Sequence, residues 1–530
     1  MTSSCERAGD MLTNVDRNRT ARRVPYIHRF EETARTHPSA IAAEDAARRV
    51  TYAELDGLAN RFAHEMRRLG AGRGAIVAIS RGRDVVMLAA ILATFKCGAA
   101  YLPIDPGAPA QRKRYMLARC ACTLMLADAH ADHAIDPNRA VTVVDPAAWL
   151  ASGPQAGHAL PDVTLDDPAY VIFTSGSTGE PKGALLSQAN LVNHLWAKID
   201  DLGLHAGDRI AQTAPCAFDL SVWQFLAAGL VGARVTVVAQ DAVAHPPALL
   251  DALARANVTV LQAVPSYLAT LLDVVARHRA RAPDTLRIMV TAGESLPIAV
   301  ARRWFDVSDA PLVNAYGPTE CGVDVTHHVM TCAPDGDAVP IGRAIPGAEL
   351  HVVDADLAPV ADGDAGELLI GGVATGVGYI DAPAQTATSF VAVPFARGRF
   401  YRTGDRVRRR GGGVYEFLGR LDLQIKLRGH RIEPEEIEAV LLRDPHVRAA
   451  VVMLYRDGER AELAALVERA EPDLPVDALR EACRARLAAA LPAYMTPQLI
   501  EIVFAIPLNE RGKTDRAAAT RLLRALNPFQ

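Results

Sequence analysis

The 530-residue chain predicts an α/β protein. Its large N-terminal domain holds two βαβ sheet-and-helix subdomains and a β-rich subdomain, and a small α+β domain follows. Three observations predict this. Apolar strand-like runs alternate with Ala/Leu/Arg-rich helical patterns over the first three hundred residues; short strands and many glycines fill the stretch from Ile341 to Gly419; and an acidic-started helix followed by a strand comes after Asp422. A chain of this length also exceeds what one hydrophobic core usually supports.

Taken in order, residues 1–23 carry Arg and Asp throughout with no apolar h-region, which reads as a disordered leader and excludes a signal peptide. The core domain is expected over residues 24–421. Ala75 to Ile79 then Asp84 to Cys97, Arg234 to Val238 then Pro247 to Ala256, and Val258 to Ala263 then Ser266 to His278 each read as strand then helix. The Ala/Asp/Pro-rich stretch 130–165 reads as a surface connection. Gly366-Glu-Leu-Leu-Ile-Gly-Gly372 and Gly411-Gly-Gly413 mark the β-rich part. In residues 422–530, Ile432 to Leu442 predicts a helix and Ala449 to Leu454 a strand.

The net charge of −4 gives no global reason to expect nucleic acid or an anionic membrane as partner. In the Arg-rich segment Arg402 to Arg431 the bases are interleaved with Asp405, Glu416 and Asp422, which fits a solvated face or a phosphate site better than RNA. Eight scattered cysteines form no CxxC pair and no zinc-like spacing, so a reduced, cytoplasmic protein is expected. No apolar run reaches membrane-spanning length.

The most informative stretch is Thr174-Ser-Gly-Ser-Thr-Gly-Glu-Pro-Lys-Gly183, which follows the apolar run Ala169-Tyr-Val-Ile-Phe173. Gly176, Gly179 and Gly183 permit backbone angles closed to other residues. The hydroxyls of Thr174, Ser175, Ser177 and Thr178, the freed amides and the Lys182 ammonium can then converge on a polyanion. The Walker pattern is absent, so the usual nucleoside-triphosphatase reading is disfavoured.

Several separated segments agree with this loop. They are Thr51-Tyr-Ala-Glu-Leu55, Phe95-Lys-Cys-Gly-Ala-Ala-Tyr-Leu-Pro-Ile-Asp105, Phe218-Asp-Leu-Ser-Val-Trp223, Asn314-Ala-Tyr-Gly-Pro-Thr-Glu320, Tyr401-Arg-Thr-Gly-Asp405, Gly419 to Ile437, and Gly512-Lys-Thr-Asp-Arg516. Together, from Val24 to Arg516, they closely resemble the adenylation domains of nonribosomal peptide synthetases, in the adenylate-forming superfamily. The resemblance implies a reaction in two halves: an amino acid attacks ATP to give aminoacyl-AMP and pyrophosphate, then a phosphopantetheine thiol takes the acyl group. It implies Lys513 as the catalytic lysine on a mobile C-terminal domain, Glu320 as the Mg²⁺-associated carboxylate, Tyr316 stacked on adenine, and Asp405 with Arg420 at the ribose. Thr174 to Gly179, Lys182, Gly293, Glu294, Asn314, Ala315, Gly317 and Thr319 complete the implied ATP site, Asp422 lies at the implied hinge, and Gly429 approaches the pantetheine path. Arg511 stands where the family usually has Asn.

Asp219 matches the residue that pairs with an α-ammonium; taken by itself it reads better as a helix N-cap before Leu-Ser-Val-Trp, and the other motifs favour substrate binding. The family's pocket positions fall on Asp219, Leu220, Trp223, Gln262, Val290, Ala292, Ala315, Val323, Asp324 and Lys513. Small Ala292 and Ala315 leave room for a side chain of some length, while Gln262 and Asp324 would be costly to bury against an aliphatic one. A polar or cationic side chain is therefore expected. Only fourteen residues follow Arg516 and no His-His-x-x-x-Asp signature occurs, since His327-His328 reads as strand or loop. The expectation is a free-standing monomer that loads a carrier protein in trans, with Thr386 to Phe395 resembling a segment that receives an MbtH-like helper protein. An acyl- or aryl-CoA ligase and a catalytically silent module are the alternatives.

Overall fold

Val85–Lys96 is apolar on all sides and, as that pattern requires, forms a helix buried on every face. Asp84 starts it by accepting a hydrogen bond from the Met87 amide at 2.7 Å. Leu220–Val231 is a second helix of this kind. One continuous core joins both helices to two large sheets, with Val77, Ile79 and Tyr101 on one side and Ile210, Val260 and Val290 on the other. The structure, a computed structural model, describes residues 22–129, 135–136, 140–150, 160–176, 179–278, 282–457, 460–471, 475–510 and 513–527. The expected leader, apart from Arg22 and Arg23, lies outside the described residues.

The first sheet has seven strands in the order Gly378–Tyr379, Lys182–Ser187, Pro168–Thr174, Ala100–Pro103, Ile76–Ser80, Leu124–Ala127 and Thr142–Val144. The second has nine, in the order Arg343–Ala344, Thr326–Met330, Leu312–Tyr316, Ile288–Thr291, Val260–Ala263, Arg209–Gln212, Arg234–Val237, Ile41–Glu44 and Arg49–Thr51. Strands pair in parallel across most of both sheets, as the alternating sequence predicts; antiparallel strands close both margins of the nine-stranded sheet and one margin of the seven-stranded sheet, whose other margin, Thr142–Val144, pairs in parallel. Ala348–Val353, Ala365–Gly372, Phe400–Arg410, Phe390–Val391 and Val414–Arg420 make the β-rich sheet.

In the C-terminal part, a three-stranded sheet of Val447–Asp457, Arg460–Arg469 and Leu499–Val503 carries apolar clusters on both faces. One face packs on the helices Pro434–Leu441 and Val476–Ala490, the other on Arg516–Leu526.

The expected strand before the glycine-rich stretch is Pro168–Thr174, and the chain returns after that stretch as the antiparallel strand Lys182–Ser187. One reading is corrected. The stretch 130–165 is more than a surface connection, because Thr142–Val144 is a sheet strand and Trp149 is buried edge-on against Phe62 at 5.5 Å. The β-branched run Val141-Thr-Val-Val144 forms that short edge strand.

The helix Leu220–Val231 begins beside Asp219 and so positions the site. The Tyr26 hydroxyl donates to the Leu226 carbonyl at 2.9 Å, and the Tyr52 hydroxyl reaches the carbonyls of Ala228 and Ala233 at 2.8 and 2.7 Å. Gly229 makes room for this clamp, since a Cβ there would lie 2.3 Å from the Tyr26 hydroxyl. Gly229→Ala gains helix propensity but overpacks a fully buried tyrosine. It should lose about 1–3 kcal/mol of stability, read as a lower thermal midpoint; an unchanged or raised midpoint would refute the clamp.

Candidate active site

The two sheets, the β-rich sheet and the C-terminal part meet at a cleft of about 150 Å³, lined among others by Thr174, Ser175, Asp219, Leu220, Ala292, Gly317, Val323, Asp324, Asp405, Arg420, Gly429, Arg431 and Tyr494. Residues far apart in the chain are therefore brought together much as the motifs predict. Beside it a second cavity of about 240 Å³ is walled by Gly293, Glu294, Asn314, Ala315, Tyr316, Gly317, Phe417 and Lys426.

The glycine-rich loop stands at the cleft wall. Thr174 Oγ1 is buried with no hydrogen-bond partner among the described residues, and Ser175 Oγ donates to the Arg431 carbonyl at 2.8 Å. Gly176 is required by close approach, because a Cβ would meet the Glu180 carbonyl oxygen at 1.7 Å. Its amide donates to Glu436 at 3.2 Å. Ser177 and Thr178 lie outside the described residues. The Lys182 ammonium sits 5.4 Å from the Tyr379 ring; burial lowers its pKa against the opposing pull of Glu320.

Asp405 is buried beside Arg420, as expected, which donates to it at 2.7 Å, and the Tyr316 hydroxyl also donates to it, at 2.6 Å. Burial would raise its pKa, but Lys426 and Arg420 outweigh this and hold it low. Arg420 also grips Asp422 through Nε at 2.8 Å. Asn314 donates to the Pro340 carbonyl at 2.8 Å. Glu294 accepts from the Ser266 and Gly429 amides at 3.0 and 2.8 Å, so its carboxylate holds protein backbone here.

Glu320 is almost inaccessible and both its oxygens are engaged. Tyr379 donates to Oε1 at 2.8 Å and Arg431 to Oε2 at 2.7 Å. Burial raises its pKa, yet the Arg431 charge and the Tyr379 hydrogen bond outweigh it and keep the carboxylate ionised. Among the described residues no group of three or more His, Cys, Asp or Glu could hold a metal ion. Mg²⁺ beside a polyphosphate needs few protein ligands, and a single ionised carboxylate such as Glu320 is of the right kind, with Tyr379 and Arg431 occupying its oxygens here.

Asp219 occupies the N-cap position of its helix but has αR backbone angles and makes no side-chain cap. It accepts instead from Thr319 Oγ1 at 2.5 Å, and burial raises its pKa to about 6 against that hydrogen bond. The helix-cap alternative is thereby removed.

The deeper pocket positions correct the sequence reading. Trp223, Gln262 and Val290 are buried behind the cleft, and the Trp223 indole donates to the Gln262 carbonyl oxygen, which is thus taken by the protein. Asp324 is paired with the fully buried ammonium of Lys198 and has His327 Nε2 at 3.7 Å. Asp324 is therefore already compensated, and it carries no argument for a cationic ligand. Val323, at φ +87°, holds a conformation that is costly for a β-branched residue.

Lys513 is not among the residues lining the cleft. It is exposed, and its backbone pairs with Asn509, donating at 3.1 Å and accepting at 2.7 Å. The C-terminal part turns Gly429, Arg431 and Tyr494 to the cleft instead. His430 stacks on Tyr494 at 3.8 Å and meets Phe218, beside Asp219, at 4.9 Å. Arg511 and Gly512 lie outside the described residues. In Thr386 to Phe395, Phe390 and Val393 are buried.

Sequence reasoning missed Lys198, Tyr379, Lys426 and the role of Arg431. Lys198 alone left a signal, a lysine within the apolar segment Leu195-Trp-Ala-Lys-Ile199. Most bases of Arg402 to Arg410 pair on the surface: Arg402 with Glu367, and Arg408 and Arg410 with Glu416.

Residues 30–380 match the family model for AMP-binding enzymes, and residues 436–513 that for the AMP-binding enzyme C-terminal domain. Syringomycin synthase SyrB1 from Pseudomonas syringae pv. syringae is 35% identical over 525 residues, covering 95% of this chain and 84% of that protein. The probable non-canonical nonribosomal peptide synthetase CymA from Salinispora arenicola is 39% identical over 92% of this chain, which spans only 6% of CymA's length. Among solved structures, PA1221, a nonribosomal peptide synthetase protein containing adenylation and PCP domains, superposes with a TM-score of 0.82 at 28% identity, covering 94% of this chain and 84% of its own. No helix among the described residues is long and apolar enough to cross a membrane. With the site's geometry and these likenesses in agreement, the chain belongs to the AMP-binding enzyme family, in the adenylate-forming superfamily, beside the adenylation domains of nonribosomal peptide synthetases.

Proposed function

We propose that the chain activates a free amino acid with a polar side chain as its aminoacyl-AMP and passes the acyl group to the phosphopantetheine thiol of a separate carrier protein. The observation that carries this is Asp219: a carboxylate at the cleft, unused as a helix cap, with the Thr319 hydroxyl as its hydrogen-bond donor. Such a group is suited to an α-ammonium, and a fatty or aryl acid offers it nothing. The adenylation–PCP protein among the structural relatives supports a carrier partner.

In the first half-reaction a carboxylate oxygen of the amino acid bonds to the α-phosphorus as the bond to the pyrophosphate leaving group breaks. Charge on the phosphoryl oxygens is best met by preorganised donors. The glycine-rich loop with Lys182 faces the phosphates, Tyr316 bounds the adenine cavity, and Asp405 offers acceptors toward the ribose. Mg²⁺, held through Glu320, would neutralise phosphate charge. Lys513 belongs at the carboxylate and α-phosphate, which requires the C-terminal domain to turn about Asp422. The turn would carry Arg431 away and free one oxygen of Glu320. In the second half-reaction the thiol sulfur bonds to the acyl carbon and AMP leaves. The arrangement described, with Gly429 against Gly293 and Val264, suits that step.

Three measurements test this reading. Because Asp219 binds an ammonium only when ionised, the KM for the amino acid in ATP–pyrophosphate exchange should rise as pH falls through about 6. Asp219→Asn should raise KM about ten- to a hundredfold and flatten that dependence; a flat wild-type profile would refute the pairing.

Lys513→Ala should lower exchange on the order of 10²-fold. Gly429→Ala should spare exchange but slow carrier loading about tenfold, because Gly429 has φ +76° and a Cβ there would lie 2.5 Å from Val264. Equal losses of both activities in both variants would argue against two arrangements, and efficient transfer to free CoA would favour a CoA ligase.

Asp422→Pro fixes φ and should restrict the turn, slowing the two half-reactions unequally. Single-turnover assays of each half separate the effects, and equal rates with wild type would remove Asp422 from the hinge.

A further inference from the structure

Helix Gln188–Leu202 carries Lys198 to a position behind the cleft wall, with no part of its side chain exposed. Its ammonium pairs with Asp324 Oδ2 and lies 4.9 Å from the centre of the Trp223 ring. One cation thus couples Asp324, which lines the cleft, to Trp223 buried behind it. Asp324 Oδ1 remains buried without a hydrogen-bond partner among the described residues, on a side chain that lines the cleft.

The surrounding charges balance. Lys198 offsets Asp324. His327 bridges Asp201, at 2.7 Å from Nδ1, and Asp324; burial would depress it, but these carboxylates outweigh burial and hold it above its ordinary value, so it offsets Asp201. Burial pushes His194 down to about 3, leaving it neutral. Asp219, the nearby carboxylate of the cleft, is reserved for the α-ammonium.

We propose that Lys198 is a specificity-determining residue of this site: by compensating Asp324 it sets the pocket for an amino acid whose side chain ends in an uncharged N–H or O–H donor, a carboxamide or a hydroxyl. This rests on the amino-acid-activating reading above. The alternatives each leave a cost. A cationic side chain at Asp324 Oδ1 brings a second positive charge beside Lys198 in a medium that screens poorly. An acidic one faces a carboxylate oxygen that can only accept. An apolar one leaves that oxygen unsatisfied. An amide or hydroxyl donates to it and adds no charge.

The test is ATP–pyrophosphate exchange with two matched sets: glutamine, ornithine, glutamate and norleucine, and threonine against valine. Wild type should prefer glutamine or threonine about tenfold or more over its charged and apolar counterparts, the worth of one charge-assisted hydrogen bond. Lys198→Met leaves Asp324 uncompensated and should raise ornithine relative to glutamine at least about tenfold; Asp324→Asn leaves Lys198 uncompensated and should raise glutamate likewise. The double variant Lys198→Met with Asp324→Leu restores balance without charge, so it should fold even where a single variant does not, and should favour norleucine or valine. Thermal melts establish which variants are folded. A wild type that ranks ornithine or glutamate first, or folded variants that keep the wild-type ranking, would overturn the assignment of Lys198 while leaving amino-acid activation intact. A wild type that exchanges with no amino acid at all would overturn the activating reading and this assignment with it.

Discussion

The ion pair between Arg431 and Glu320 sets the geometry of the whole cleft. It spans 111 residues of sequence and joins the C-terminal part to the strand-end motif of the large domain. Glu320 is almost wholly inaccessible, and breaking a buried pair by withdrawing one partner costs about 3–5 kcal/mol unless something replaces it. While Arg431 holds that place, its neighbours follow. Its carbonyl accepts from Ser175, Gly429 meets Glu294, and Glu436 takes the Gly176 amide together with Arg112 at 2.8 Å. Under the proposed function, a polyphosphate with its cation would replace the guanidinium at Glu320 and so link occupancy of the site to the seating of the small domain.

The same requirement, that buried charge be matched, organises the rest of the site. Asp405 is held by Tyr316, Arg420 and Lys426, and Asp324 by Lys198 and His327. Asp219 differs in having no ion-pair partner among the described residues: burial raises its pKa, and the hydrogen bonds from Thr319 and the Leu220 backbone only partly oppose it. A site in which one carboxylate is left less satisfied than its neighbours is poised for a cationic group from outside.

Much of the fold was legible because its signals are local. The all-apolar run at Val85–Lys96, the alternation of strands and helices from Arg234 to Arg277, and the glycine texture after Ile341 each report burial or turn geometry within a few residues. The motif residues were legible in part: Asp219 and Asp405 line one cleft, Tyr316 walls the cavity beside it, and Glu320 lies behind Arg431, which lines that cleft. The edge strand Thr142–Val144 was not legible, because a three-residue strand, although β-branched throughout, is too short to show a period within an Ala/Asp/Pro-rich stretch.

By itself, then, the sequence determined which elements form and which chemical groups are available: the glycine-rich hairpin, the carboxylates and the lysines. Only the tertiary structure decided which of those groups are free. Lys198 and Asp324 stand 126 residues apart and cancel each other, a pairing that no local pattern contains. Whether Asp219 caps its helix turned on the backbone angles at that residue and on Thr319, a hundred residues away, supplying a better partner. Lys513 is present in its motif yet faces solvent, because the orientation of one rigid domain on another is set by the few buried contacts between them and not by the residues around the lysine.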